Sequence, residues 1–429
     1  MTREIIENPR IGEKYTKIMH DSGLMILIWQ TPGSVAKHAL FGTRYGSVNT
    51  TFKTKDDADF VTVPNGIAHY LEHKLFENED CDVFSLYAKT GASGNAYTSF
   101  DRTCYLFSCT NNFADSLKIL LDFVQKPYFT EETVRKEQGI IGQEIRMYQD
   151  DPNWRVFFNM LGGIYHENPV KIDIAGTVES IAQIDAPLLY RCYNTFYSLP
   201  NMCLAIAGDV DIDEILSICD EYLKKGEDKE LISIVPEEPD RVAEKFVSQE
   251  FEVAVPLFAL GYKSAPLTDS ERLRAEVLSD IVLALISDES SPLYKSLYDA
   301  GLINSEFSSE TFVGNGYFVP NFCGESRNPE KTAELINDEI RRCIRDGLDK
   351  SRFDMVKKAY YGSMIRQLSS PESLAGLLIN TGIVNCGIAF SQIDIAADIT
   401  LEECQQFLTE RFNPDNCTLS VVVPPSQKQ

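Results

Sequence analysis

The sequence has little histidine and tryptophan, five and two residues among 429. No run of apolar residues approaches the roughly 18 that a membrane span needs, so no membrane-spanning helix is expected. Cysteine has no paired spacing. The eleven cysteines are scattered, odd in number and without a C-x-x-C; the nearest two, Cys104 and Cys109, fall in one strand-like segment. The first fifteen residues are charged throughout and lack the apolar core of a secretory signal. Reduced, mostly buried thiols in a cytoplasm are therefore expected. Basic clusters are missing too. With 40 Lys+Arg against 64 Asp+Glu the formal net charge is −24, which excludes nucleic acid, whose phosphates demand a basic face. The acidity serves solubility, and at long range it would steer basic substrates toward the chain.

What is present reads as a soluble globular protein, 44% hydrophobic and 24% charged, too long for one ordinary core. Strand-like runs at Met25–Trp29 and Ala39–Arg44 precede helical stretches over 65–76 and 82–89, the second with Cys81 at its start. A polar turn from Asn95 leads into a strand ending near Ser108. Thr130-Glu131-Glu132 caps a long helix running to about Asp150, and Cys203–Ala207 reads as a strand. From Lys224 to Glu244 the chain turns charged and proline-bearing, the composition of a linker. The second half then repeats the order: a strand at Leu257–Tyr262, an amphipathic helix from Ser270 to Ser287, and a last strand at Thr418–Val423. We therefore expect an α+β domain over 1–225, a linker over 226–245, and a similar α+β domain over 246–429.

Chemistry concentrates in His69-Tyr70-Leu71-Glu72-His73. Residues three and four apart share a helix face, so both imidazoles can converge on one point with Glu72 beside them. Two imidazoles hold Zn²⁺, and an adjacent carboxylate can take a proton from water there. This is the H-x-x-E-H order, the inverse of the commoner zincin motif. A catalytic zinc site takes a third protein ligand. Glu137 and Glu144, seven residues apart (144 − 137) on the long helix, face the same way, so one can ligate while the other supports it from behind. Ile140, Ile141 and Ile145 flank them, and Gly139 and Gly142 predict close packing against another element.

With these residues in place, the sequence resembles the insulinase/pitrilysin (inverzincin) metallopeptidase family, including its bacterial YmfH-type and mitochondrial-processing-peptidase-like members. The resemblance covers both halves of the chain. Besides the two motifs it rests on Gly91-Ala-Ser-Gly-Asn95-Ala96-Tyr-Thr-Ser-Phe-Asp-Arg-Thr103, on His166-x-x-Pro169 with Gly176-Thr-Val-Glu-Ser-Ile181, and on Asn201-Met202 through Gly208-Asp209. It implies zinc held by His69, His73 and Glu144, Glu72 as general base, Glu137 assisting, and Asn95 and Ala96 on a strand edge that pairs with peptide. It further implies two homologous domains, each a mainly antiparallel sheet flanked by helices and together half of a clamshell that admits peptides and unfolded segments. The expected activity is zinc-dependent endopeptidase cleavage.

One segment departs from the family pattern. Where the family has an Arg and a Tyr that polarise the scissile carbonyl, this chain has Tyr298 and then Asn304 or Ser305. A complete enzyme needs such a donor. A zinc-less homologous partner that supplies it, in a heterodimer, is therefore expected, with a homodimer using another donor as the alternative. A non-catalytic assembly subunit is opposed by the intact His69, Glu72, His73 and Glu144. A structural zinc site is opposed by the lack of a cysteine in the motif.

Overall fold

Alternating and continuous apolar runs pair into three sheets in the computed structural model, which describes residues 1–79, 82–384 and 387–425. The strands of the first half are β1 (Thr2–Asn8), β2 (Glu13–Met19), β3 (Met25–Gln30), β4 (Lys37–Thr43), β5 (Thr51–Lys53), β6 (Val61–Thr62), β7 (Ser93–Thr98), β8 (Thr103–Cys109), β9 (Met202–Gly208) and β10 (Ile232–Ser233). Seven of them form a sheet in the order β1-β2-β3-β9-β4-β8-β7, antiparallel except where β3 meets β9. β9 is buried along its whole length, as a strand covered on both faces must be.

One cover comes from far along the chain. The helix Pro371–Val384 packs on β3, β4 and β9 and shares a core with Trp29, Leu40 and Cys203 through Leu374, Leu378 and Ile379. A Cβ at Gly382 would stand 2.2 Å from the Cys203 sulfur, so this approach is open only to glycine. The Arg44 guanidinium donates to the carbonyls of Gly382 and Ile383, satisfying groups orphaned at the helix end.

The second half adds β11 (Phe246–Glu250), β12 (Leu257–Tyr262), β13 (Ser308–Gly314), β14 (Tyr317–Glu325) and β15 (Cys417–Val423) in the order β11-β15-β12-β14-β13. Its parallel pair is β11 with β15. The order matches β3-β9-β4-β8-β7 strand for strand, including the place of the parallel pair, so the repeat expected from sequence is a duplicated α+β topology.

The helices that bear on the site are α1 (Ile67–Leu75), α2 (Val83–Thr90), α3 (Phe113–Val124) and α4 (Glu131–Gln149), and they are followed by α5 (Pro152–Ile164). The compact units are not consecutive, unlike the expected division at 226–245. One comprises 1–145, 173–234 and 365–390; the other comprises 146–172, 235–364 and 391–429. The reason is packing: Pro371–Val384 covers the first sheet, while α5 packs on β12 and β15. The stretch expected as a linker is not a free tether either. Ile232 and Ser233 pair with Lys53 and Phe52 in the first unit. In the second, Glu238 accepts from the backbone N–H groups of His166, Glu167 and Asn168 and pairs with Lys263 at 2.9 Å. Among the described residues no helix is long and apolar enough to cross a membrane.

Candidate active site

The helix that carries the histidines starts where only glycine serves. Gly66, at φ 89°, turns the chain into α1, and a Cβ there would meet the Ala175 carbonyl oxygen at 2.3 Å. The Gly176–Ile181 segment fastens this corner. Ser180 Oγ donates to the Asn65 carbonyl at 2.8 Å, and Gly176 packs where a Cβ would lie 2.5 Å from the same oxygen. Every residue of α1 except His73 is buried. Tyr70 donates to the Val134 carbonyl and Gln138 to the Ile181 carbonyl, which ties α4 alongside.

Five expected residues converge in this one unit. The His69 and His73 rings lie 4.6 Å apart, inclined by 64°. Glu144 Oε1 is 3.6 Å from His69 Nε2, and its Oε2 is 3.3 Å from His73 Nε2. His69, His73 and Glu144 offer ligand atoms all within 4.8 Å of one another. Neighbouring ligands of a tetrahedral zinc, each about 2.1 Å from the ion, stand about 3.4 Å apart. The donor set therefore fits zinc with three protein ligands and one open position. His69 Nδ1 is buried without a hydrogen-bond partner among the described residues.

Glu137 stands one step back: its Oε1 accepts from His73 Nδ1 at 2.9 Å, which turns Nε2 toward Glu144. Burial works against a charged His73. The hydrogen bonds to Glu137 and Glu144 and the charges of Glu144 and Glu72 outweigh it, pushing the imidazole up to about 10.

Glu72 is buried, at 9% exposure, and its Oε2 accepts from Thr98 Oγ1 at 2.6 Å. Thr98 was not singled out from sequence. The available signal was its parity with Ala96 on β7, which puts both on one face of the strand.

Among the described residues β7 is the edge strand of its sheet, paired with β8 alone. Ser99 N–H donates to the Arg102 carbonyl across the turn, so by alternation the N–H groups of Asn95 and Tyr97 face β8 while that of Ala96 faces the open edge. There the Asn95 side chain accepts from it at 2.9 Å.

One expectation fails locally. Among the described residues nothing lies within 4 Å of a Cβ built on Gly139, and Ile140 is 48% exposed, so the close packing is on the other face, with Ile141, Gly142 and Ile145 buried. Cys81 lies outside the described residues. In the second unit Tyr298 is 53% exposed and stacks on Tyr294, Asn304 donates to Glu325 Oε2 at 2.6 Å, and Ser305 is exposed.

Residues 62–178, which hold every one of the convergent groups, match the family model "Insulinase (Peptidase family M16)", and 183–360 match "Peptidase M16 inactive domain". The chain is 38% identical to the uncharacterized zinc protease YmfH of Bacillus subtilis, over 98% of this chain and 99% of that one. The chain belongs to the insulinase (M16) peptidase family. A solved M16-like peptidase from Alicyclobacillus acidocaldarius superposes on this M16 chain with a TM-score of 0.93 at 34% identity, covering 98% of this chain and 99% of the other. The mitochondrial-processing peptidase β subunit of Caenorhabditis elegans is 28% identical over 48% of this chain and 44% of its own.

Proposed function

We propose that the chain is a zinc-dependent metalloendopeptidase of the cytoplasm that hydrolyses peptides or unfolded segments. The observation that carries this reading is the convergence of His69, His73 and Glu144 within 4.8 Å, with Glu72 beside them. His69, His73 and Glu144 would hold the metal, and Glu137 fixes the ring of His73. Zinc, when bound, supplies a Lewis acid for the carbonyl and acidifies water. Glu72 takes a proton from the attacking water as the water's oxygen joins the carbonyl carbon. It then hands that proton to the amine nitrogen as the C–N bond breaks. The open edge at Asn95 and Ala96 aligns the peptide backbone as an added strand.

Tyr298 and Asn304 or Ser305 stand where an Arg and a Tyr are expected, and this favours an assembly in which a zinc-less homologous partner supplies the carbonyl-polarising donors. A homodimer with another donor is the alternative. The test is to measure zinc in the purified chain, then assay a mixed library of unstructured peptides with the chain alone and with a co-encoded homologue. One zinc per chain with cleavage only in the pair supports the split site. Full activity of the chain alone removes the partner. A chain that takes up no zinc refutes the enzyme reading.

A further inference from the structure

We propose that Thr98 is a positioning residue for Glu72, holding one carboxylate oxygen so that the other faces the reacting water; this rests on the peptidase reading above. The 2.6 Å separation of Thr98 Oγ1 from Glu72 Oε2 is that of a charge-assisted O–H···O⁻ bond. Thr98 is the only hydrogen-bond partner of the carboxylate among the described residues. The direction of the bond is set from behind. Thr103 Oγ1, fully buried and 3.3 Å from Thr98 Oγ1, donates its own proton to the Tyr45 carbonyl at 2.9 Å, so Thr98 receives no proton from it and directs its own at Glu72. β7 presents Thr98 from the same face as Gly94, where a Cβ would come within 2.5 Å of the Tyr87 ring of α2, so the strand lies close against the helical layer that includes α1. The hydroxyl that orients the base thus comes from the same strand whose open edge would align the peptide.

A general base gives its rate advantage only when it is held in geometry. The test compares Thr98→Val, which keeps the shape and removes the hydroxyl, with Thr98→Ser, which restores it. In the assembly that cleaves, Thr98→Val is expected to lower kcat about ten- to hundredfold, part of the 10²–10⁴ that a positioned acid–base group contributes. KM and the zinc content should hold, and Thr98→Ser should recover most of the rate. Crystals of the zinc-loaded wild type and Thr98→Ser should show Glu72 bonded to residue 98, and those of Thr98→Val should show the carboxylate in another rotamer. Wild-type kcat in Thr98→Val, or an unmoved Glu72, overturns the inference. Should Glu72→Gln cleave as fast as wild type, the peptidase reading falls instead, and the crystals alone decide whether Thr98 holds Glu72.

Discussion

Glu137 and His73 join α4 to α1 through a 2.9 Å hydrogen bond on the side of the imidazole away from Glu144. A ligand oriented in this way loses affinity when its support is removed, commonly ten- to hundredfold. Glu137→Ala is therefore expected to weaken zinc binding by about that factor, read by chelator competition. Unchanged affinity would show that Glu137 does not orient His73.

Ala96 allows the edge to be tested without touching the ladder. Its N–H faces outward, so Ala96→Pro removes a donor that β8 does not use. One hydrogen bond is worth about 0.5–1.5 kcal/mol net, so KM for peptides should rise about two- to tenfold with little loss of stability. An unchanged KM would mean that peptides do not pair there.

Two glycines near the site should respond in opposite directions. Gly66→Ala puts a side chain at φ 89° and onto the Ala175 carbonyl, costing at least about 2 kcal/mol and loosening α1. Gly139→Ala meets open space in an exposed helix interior and should stabilise by about 0.5–1 kcal/mol. Thermal unfolding of both variants checks the pair.

Glu238 links stability to pH in the second unit. Its desolvation raises the carboxyl, but the ion pair with Lys263 and three backbone N–H donors prevail and hold it below the ordinary value of 4.5. A depressed carboxylate stabilises the fold above its unfolded pKa, and that contribution fades as pH falls through the lower folded value. Glu238→Gln should cost about 1–3 kcal/mol at pH 7, and the gap to wild type should close in acid, below the ordinary value. Melting curves of both proteins from pH 7 downward measure it; a gap independent of pH would contradict the assignment.

Much of the site was legible because helical spacing is local. His69, Glu72 and His73 need only one helix, and Glu137 and Glu144 only another, so their faces follow from residue numbers. The partition of the chain was not legible. Whether Pro371–Val384 covers its own half's sheet or the other depends on fits such as Gly382 against Cys203, which no local pattern encodes. Gly139 misled for a similar reason: glycine in a helix reads the same whether a neighbour presses on it or solvent does. Thr98 was half visible, since strand parity gives its face but not the distance to Glu72.

Everything proposed for the site turns on Glu72 acting as the base at a metal that His69, His73 and Glu144 would hold. The most direct measurement is single-turnover peptide cleavage by zinc-loaded wild type and Glu72→Gln, each at one zinc per chain and in the assembly that cleaves. Glu72→Gln is expected to keep its zinc and to lose cleavage by about 10²-fold or more. Cleavage by Glu72→Gln at the wild-type rate would contradict it.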